Sequence, residues 1–190
     1  MPDIRNKIKR QREQLDASLQ QEYSLDIADH LVTLPALKRA RTIALYNAFR
    51  GEPDCAPLSN KPILRKKRIF LPIAEKNHLK FAPVKNGTEW TCNRYGILEP
   101  VYSNASLVNG MNLDVVIVPL VAFDEECNRI GMGAGFYDRT FAFRKHRGNW
   151  HKPLLIGIAY DFQRVDKINP EAWDVPLDCV VTEKECYGSY

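Results

Sequence analysis

Several features that mark common protein classes are absent from this chain of 190 residues. No run of 18 apolar residues occurs, so we expect no membrane-spanning helix. The five cysteines form no C-x-x-C pair, which argues against a zinc site or a disulfide framework and favours reduced thiols. There is no H-E-x-x-H and no G-x-S-x-G, so neither a zincin metallohydrolase nor a serine hydrolase with the usual nucleophile elbow is supported.

The amino-terminal segment also lacks the apolar stretch of a secretory signal, because Met1–Arg5 already contains charged residues. We therefore expect a cytoplasmic protein. The length predicts one domain over residues 1–190. With 45% hydrophobic and 26% charged residues, the composition is that of a globular protein and not of a disordered chain.

Positive charge is concentrated in the first third of the chain. Residues 1–68 contain 14 Lys and Arg against 8 Asp and Glu, whereas residues 69–190 contain 13 against 15. This excess indicates an anionic partner, such as a nucleotide, a polyanionic metabolite or a nucleic acid. A solvated helix face explains the same excess, and charge alone does not separate the two interpretations.

Hydrophobic patterning predicts alternating helices and strands. Helices are expected over residues 3–15, with an apolar stripe of Ile4, Ile8, Gln11 and Leu15, from Asp16 or Ser18 to Leu34, and over about 136–146. Short apolar runs predict strands at 42–46, 68–72, 79–83, 113–123, 154–159 and 179–182, whereas residues 85–112 look irregular. Apolar strands that alternate with helices predict an α/β fold with a mainly parallel sheet.

A glycine-rich loop is the strongest functional signal. Gly131, Gly133 and Gly135 follow the most apolar predicted strand and precede a helix. Glycines let backbone N–H groups approach an anion closely, and a helix N-terminus adds positive potential there. Arg129 and Arg139 flank the loop, so we expect phosphate binding. The spacing matches neither G-x-x-x-x-G-K-[ST] nor G-x-G-x-x-G, and a tight turn without a ligand remains the alternative.

Two aspartates are candidates for a metal site. Asp138 lies just after the glycines, where a phosphate-bound Mg²⁺ would need an oxygen ligand. An acid in the first turn of a helix also complements the helix dipole, which explains Asp138 equally well. Asp174 lies in a loop before the last predicted strand, where a turn aspartate is the commoner explanation.

Residues 128–139 resemble the signature N-R-L-G-x-G-x-G-Y-Y-D-R of 5-formyltetrahydrofolate cyclo-ligases, also called methenyltetrahydrofolate synthetases. The resemblance extends along nearly the whole chain, in order, through Arg5, Lys9 and Arg12, through 46–52, through 95–100, and through Gln163, 174–178 and 182–183. The chain departs from the family pattern at Leu120, Phe136 and Trp173.

The resemblance implies a three-layer α/β/α fold of the sugar-phosphate isomerase and CoA-transferase type. It also implies ATP- and Mg²⁺-dependent cyclisation of 5-formyltetrahydrofolate to 5,10-methenyltetrahydrofolate, with release of ADP and phosphate. Implied metal ligands are Asp138 and Asp174, and implied folate contacts are Asn47 and Glu52. The implied ATP contacts are Arg5, Lys9, Arg129, Ile130, Gly131, Met132, Gly133, Ala134, Gly135, Phe136 and Tyr137.

Two other functions stay open. A phosphosugar-handling enzyme of the same general fold would also use a glycine-rich anion loop, although it would need neither ATP nor a basic amino-terminal helix. A nucleic-acid binder would use the basic first third, but no known binding motif accompanies it. We expect a monomer that acts on 5-formyltetrahydrofolate and ATP, without a nucleic-acid partner and without a membrane.

Overall fold

A computed structural model describes residues 2–93, 96–146 and 152–188. Its helices are α1 (Pro2–Glu13), α2 (Ala17–Thr33), α3 (Pro35–Arg39), α4 (Ala56–Ser59) and α5 (Phe136–Phe141). Its strands are β1 (Thr42–Ala44), β2 (Arg68–Glu75), β3 (His78–Val84), β4 (Trp90–Cys92), β5 (Leu98–Pro100), β6 (Val115–Pro119), β7 (Ala122–Phe123), β8 (Arg129–Ile130), β9 (Leu154–Ile158), β10 (Cys179–Val181) and β11 (Cys186–Tyr187). Among these described residues, no helix is long and apolar enough to cross a membrane.

The central sheet has seven strands in the order β11-β10-β9-β6-β1-β2-β3. The five inner strands are parallel to their neighbours, and β3 and β11 add antiparallel edges. The chain runs from β1 to β2 in one direction and from β6 to β9 and β10 in the other. The strand order therefore reverses between β1 and β6, which is where α/β sheets commonly bind ligands.

Apolar cores lie on both faces of this sheet. In β6, Val115 and Ile117 pack toward α2, α3 and α4, whereas Val116 and Val118 pack toward Phe141 of α5. Successive side chains of a strand point to opposite faces, so a continuous β-branched run suits a strand that is covered on both sides. This arrangement confirms the expected three-layer α/β architecture with a mainly parallel sheet.

The inward face of α1 differs from the predicted apolar stripe. Ile8 is buried as expected, but Ile4 and Gln11 are exposed. The buried face is completed by Arg12, which is fully buried, and by Arg5, which is half-buried. Ile8 packs in a small apolar cluster with Val121, Ala122, Ile130 and Ile168, at the edge of the sheet where β6 ends. Helix α1 thus brings two arginines toward that edge.

Strand β2 runs past the proline that was expected to end it. Pro72 lies opposite Phe81 of β3, and the N–H and C=O of Phe81 bond to Val108 on the outer side of β3. Pro72 and Phe81 are therefore a non-hydrogen-bonded pair, and the N atom of Pro72 faces away from β3, beyond the end of β1. A proline at such a position breaks no ladder hydrogen bond.

Of the two starts expected for α2, the structure has the one at Asp16, whose Oδ1 accepts the backbone N–H of Ser18 at 2.8 Å and caps the helix. The segment 85–112 is not wholly irregular, because β4 and β5 pair within it as an antiparallel ribbon. Tyr95, which belongs to the family pattern, lies outside the described residues.

Candidate active site

A cavity of about 1090 Å³ opens at the carboxyl ends of β1, β2 and β6, beside the point where the strand order reverses. Asn47 follows β1, Pro72 lies in the second half of β2, and Pro119 ends β6. The volume slightly exceeds the range of about 300 to 1,000 Å³ for typical small-molecule pockets. The cavity therefore has room for more than one small ligand.

The glycine loop forms one wall of this cavity. It leaves the β7–β8 ribbon and enters α5, with Gly133 at φ +102° and Gly135 at φ +63°. These left-handed values are costly for residues other than glycine. In the part of the chain that the structure describes, no backbone hydrogen bond has its donor within residues 131–135. The loop N–H groups are thus available to a ligand such as phosphate.

Helix α1 is attached to the glycine loop through Arg5, whose Nε donates to the carbonyl oxygen of Gly131 at 3.0 Å. Arg5 lines the cavity and is half-buried. Lys9, one turn further along α1, is also half-buried but does not line the cavity. Of the two predicted amino-terminal ATP contacts, Arg5 is therefore the one placed at the site.

Arg129 is turned into the protein, and its side chain is only 6% exposed. Its Nη2 donates to Oδ1 of Asp138 at 2.6 Å, and its Nη1 donates to the carbonyl oxygen of Val175. Oδ1 of Asp138 also accepts the backbone N–H of Val175 at 3.1 Å. These bonds join the start of α5 to the loop that carries Asp174, so both candidate metal ligands lie on one side of the cavity.

Asp138 and Asp174 offer carboxylate oxygens, which are the ligand type that Mg²⁺ prefers. Oδ2 of Asp174 accepts the backbone N–H of Glu171 at 2.8 Å, so each carboxylate uses one oxygen in the hydrogen bonds of the described residues. Those residues contain no group of three or more His, Cys, Asp or Glu that could hold a metal ion. Mg²⁺ often takes one or two carboxylates and fills its other positions with water and phosphate oxygens.

A second wall, formed by the chain that follows β1, contains the two residues that the resemblance links to the folate. Asn47 donates from Nδ2 to the carbonyl oxygen of Leu98 at 2.6 Å, which ties the end of β1 to the β4–β5 ribbon. Glu52 is 9% exposed, and its Oε2 accepts the backbone N–H of Phe49 at 3.2 Å. Its Oε1 lies 3.7 Å from Nη1 of Arg12.

Burial changes the acid–base behaviour of this wall. It raises the pKa of Glu52 above its usual range, while Arg12 and the N–H of Phe49 act in the opposite direction. Burial also raises the pKa of Tyr137, and the carboxylate of Glu52 adds to this effect. Tyr137 is thus a neutral hydrogen-bonding group at neutral pH, and the ionisation of Glu52 depends on its neighbours.

The three departures from the family pattern all lie at or beside the cavity. Phe136 lines it, and the Arg139 guanidinium carbon lies 5.5 Å from the centre of the Phe136 ring. Trp173 lines it and is 67% exposed. Leu120 is buried, and its carbonyl oxygen accepts hydrogen bonds from Arg12 and Gln163.

Sequence reasoning missed several residues of the site. The burial of Arg12 was not anticipated, although its spacing of seven residues from Arg5 places both on one helix face. The β4–β5 ribbon also contributes Glu99, whose Oε1 accepts the side-chain N–H of Asn93 at 2.7 Å. Further cavity residues without a predicted role are Ile97, Leu98, Lys145, His146 and Glu171. The sequence carries no local signal for the β4–β5 ribbon. Its place at the cavity follows only from how the whole segment 85–112 folds over the sheet.

The sequence pattern of the 5-formyltetrahydrofolate cyclo-ligase family matches residues 1–183. The chain is 37% identical to 5-formyltetrahydrofolate cyclo-ligase of Escherichia coli strain K12 over 183 residues, which cover 95% of this chain and 98% of that protein. It is 35% identical to the Haemophilus influenzae 5-formyltetrahydrofolate cyclo-ligase over 179 residues, which cover 92% of each.

Solved structures give the same result. Aquifex aeolicus 5,10-methenyltetrahydrofolate synthetase superposes with a TM-score of 0.82 at 34% identity and covers 98% of this chain and 91% of that one. A 5,10-methenyltetrahydrofolate synthetase from Mycoplasma pneumoniae shares the fold, with a TM-score of 0.73 at 24% identity. The match covers 96% of this chain and 98% of that one. Residues 1–183, which the family pattern matches, include the glycine loop, Asn47, Glu52, Asp138 and Asp174. The chain therefore belongs to the 5-formyltetrahydrofolate cyclo-ligase family, a family of ligases.

Proposed function

We propose that this chain catalyses the ATP- and Mg²⁺-dependent cyclisation of 5-formyltetrahydrofolate to 5,10-methenyltetrahydrofolate, with release of ADP and phosphate. One observation carries the proposal. The glycine loop and the buried Glu52 wall face the same cavity of about 1090 Å³, so a phosphate donor and an N–H-rich substrate can meet in it. Family membership supports the choice of a folate as that substrate.

The nucleotide lies, in this proposal, against the glycine loop, and residues 129–137 with Arg5 and Lys9 contact ATP. The free loop N–H groups and the Arg5 guanidinium bring positive potential to the phosphates. Lys9 does not line the cavity, so in this proposal it contacts the nucleotide from outside the cavity. Arg129 lines the cavity as well, and its guanidinium also bonds to Asp138 and to Val175.

Asp138 and Asp174 hold Mg²⁺ in the proposal, each through a carboxylate oxygen. Bound there, Mg²⁺ would neutralise charge on the ATP phosphates during phosphoryl transfer. The Arg129 guanidinium fixes the orientation of Asp138 by a hydrogen bond of 2.6 Å, and the N–H of Val175 fixes the same oxygen from the other side. Both contacts fix the Asp138 carboxylate relative to the glycine loop and to the loop that carries Asp174.

The reaction requires the formyl oxygen of the substrate to become a leaving group. The oxygen attacks the γ-phosphorus of ATP, the bond from that phosphorus to the β–γ bridging oxygen breaks, and ADP leaves. N10 then adds to the activated carbon and loses its proton to solvent, and phosphate departs with the former formyl oxygen. The chain's task is to align the two substrates and to stabilise charge, so no general base is assigned.

Glu52 and Asn47 align the folate. The carboxylate of Glu52 accepts hydrogen bonds from the N–H edge of the pterin, which presents donors that a buried acid can satisfy. Asn47 lines the same cavity and is held by its bond to Leu98. Met132 and Trp173 also line the cavity and are exposed, so they add apolar surface to it.

The test is formation of the methenyl product, followed by its absorbance, in mixtures that contain or omit ATP and Mg²⁺. We expect product only when ATP, Mg²⁺ and 5-formyltetrahydrofolate are all present, with one ADP released per product. ATP hydrolysis that is independent of the folate, or stimulated instead by a sugar phosphate, would contradict the proposal and favour a phosphosugar-handling enzyme. The proposal also includes a cytoplasmic monomer with neither a nucleic-acid partner nor a membrane, and sedimentation at working concentration checks the monomer.

A further inference from the structure

Arg12 is a fully buried cation that the proposed reaction does not use. Its Nη1 donates to the carbonyl oxygen of Leu120 at 3.2 Å and lies 3.7 Å from Oε1 of Glu52. Its Nε and Nη2 are buried and have no hydrogen-bond partner among the described residues. Buried charges are normally paired, and the ion pair with Glu52 is the one that Arg12 makes among the described residues.

The backbone of Arg12 is in contact with the same loop as its side chain. A Cβ atom added at Gly51 would lie only 2.7 Å from the carbonyl oxygen of Arg12, and Gly51 has a φ of +70° that favours glycine. The chain between β1 and α4 therefore closes directly onto the end of α1. Glu52 follows Gly51, so its position relative to the cavity is set by where Arg12 lies.

We infer that Arg12 is a positioning residue for folate binding: it holds the buried Glu52 carboxylate ionised and oriented toward the cavity. The inference deepens the proposed function and rests on it for the identity of the ligand. Arg12 itself does not line the cavity, so it acts through Glu52 and not by touching the substrate. Arg5, two turns earlier on the same face of α1, contacts the glycine loop instead.

Among the described titratable groups that face Glu52, Arg12 is the one that carries a positive charge. They are Arg12 from α1, Tyr46 and Cys55 from either side of its own loop, and Tyr137 from α5. Burial raises the pKa of Tyr46 well above its usual value and raises that of Cys55 to about 12. Burial also raises the pKa of Tyr137, so all three groups are neutral near neutral pH.

The consequence is a defined pH dependence of folate binding. Ionised Glu52 accepts the pterin N–H groups, so binding weakens as pH falls through the pKa of Glu52. Burial favours the neutral acid, and Arg12 opposes it. Loss of the Arg12 charge therefore raises the pKa of Glu52 and moves the acidic limb of folate binding to higher pH.

The experiment measures equilibrium binding of 5-formyltetrahydrofolate without ATP as a function of pH. It compares the wild-type chain with Arg12→Met, Arg12→Lys and, as a control on the exposed face of the same helix, Arg10→Met. For Arg12→Met we expect at least about tenfold weaker binding at neutral pH and an acidic limb moved up by about one pH unit or more. Arg12→Lys keeps a limb close to that of the wild type, and Arg10→Met leaves both quantities unchanged.

Steady-state kinetics add a second discriminating readout. A positioning role at Glu52 raises the KM for the folate and leaves the KM for ATP within about threefold of the wild-type value. A purely structural role for Arg12 lowers stability while leaving the acidic limb in place, and that result overturns the inference. If Arg12→Met folds poorly, the double variant Arg12→Met/Glu52→Gln decides: it unfolds at a higher temperature than Arg12→Met if the unpaired carboxylate is the cause, and no higher if the inference is wrong.

Failure of the inference differs visibly from failure of the proposed function. If the wild-type chain itself does not bind 5-formyltetrahydrofolate at any pH, the proposed substrate is wrong, and the ligand assignment in the inference falls with it. If the wild-type chain binds the folate and Arg12→Met binds it with the same affinity and pH profile, only the role of Arg12 is overturned.

Discussion

Arg5 connects the amino-terminal helix to the loop that is proposed to hold ATP. Its Nε bonds to the carbonyl oxygen of Gly131, and the side chain is half-buried at the cavity wall. The Arg5 guanidinium therefore bonds to the loop backbone and, in the proposal, also neutralises charge on an ATP phosphate.

We expect Arg5→Ala to raise the KM for ATP about tenfold, because a hydrogen bond to a charged group contributes roughly 1.5 to 3 kcal/mol. The KM for the folate should change much less, because Glu52 lies on the other wall. Steady-state kinetics with each substrate varied in turn measure the effect. Arg10→Ala, on the exposed face of α1, is the matched control and should keep both values. An unchanged KM for ATP in folded Arg5→Ala would remove Arg5 from the nucleotide site.

At the scale of single residues, the sequence predicts a place at the site for those residues that belong to a motif of the family pattern. Glu52 and Asp174 were selected by matching a family pattern, and the structure places both at one cavity. The role of Arg12 could not be read in the same way. A basic residue within a helix usually faces solvent, and only the packing of α1 against the end of β6 and the loop at Gly51 buries this one.

At the scale of elements, the passage from β8 through the glycine loop into α5 is the feature on which nucleotide binding depends. Gly135 is the residue before α5 and has a left-handed backbone. A Cβ atom there would also lie 2.8 Å from Nη1 of Arg139, whose Nη2 donates to the carbonyl oxygen of Ala134. The substitution would therefore strain the turn and displace a side chain that braces the loop.

We expect Gly135→Ala to lower the free energy of unfolding by about 1 to 2 kcal/mol, because a left-handed backbone is costly for alanine. The KM for ATP should rise severalfold, because the loop N–H groups no longer converge. Gly87→Ala is the matched control: Gly87 has a φ of +80° with no atom within 4 Å of an added Cβ, and it lies outside the cavity. Urea unfolding and ATP kinetics on both variants separate strain from function. A KM for ATP that rises equally in both would argue against a specific role for the loop.

The elements themselves were largely predictable, and the exceptions have physical causes. The strand at β6 was clear because Val115–Val118 is apolar and β-branched throughout. Strand β2 was predicted too short because a proline normally ends a strand, and the pairing that tolerates Pro72 depends on Val108, far along the chain. The β4–β5 ribbon was missed because its exposed strands lack an apolar alternation.

At the scale of the whole molecule, the binding cavity and a stabilising carboxylate lie at opposite ends of the parallel strands. The cavity lies at the carboxyl ends of the parallel strands. Asp114 lies at the amino ends of these strands, just before β6. Its Oδ2 accepts the backbone N–H of Arg41 at 2.8 Å and that of Thr42 at 3.1 Å. Its Oδ1 accepts a bond of 2.6 Å from Lys152, just before β9. One carboxylate thus ties together the starts of three central strands.

The ionisation of Asp114 follows from these contacts. Partial burial acts to raise its pKa, but hydrogen bonds from Lys152, from the amides of Arg41 and Thr42 and from the Thr42 hydroxyl outweigh burial and lower the pKa to about 2. A carboxyl group with a lower pKa in the folded state stabilises the fold at pH values above its unfolded pKa. That contribution disappears as pH falls from about 4 through about 2.

We therefore expect Asp114→Asn to lower the free energy of unfolding at pH 7 by about 1 to 2 kcal/mol, since an amide accepts these bonds less strongly than a carboxylate. The difference from the wild-type chain should shrink as pH falls from about 5 toward about 2, where Asp114 becomes protonated. Urea unfolding at a series of pH values measures this. Both KM values should stay at wild-type levels, because the substitution lies at the edge of the sheet away from the cavity. A stability difference that is constant with pH would show that Asp114 acts through its shape and not through its charge.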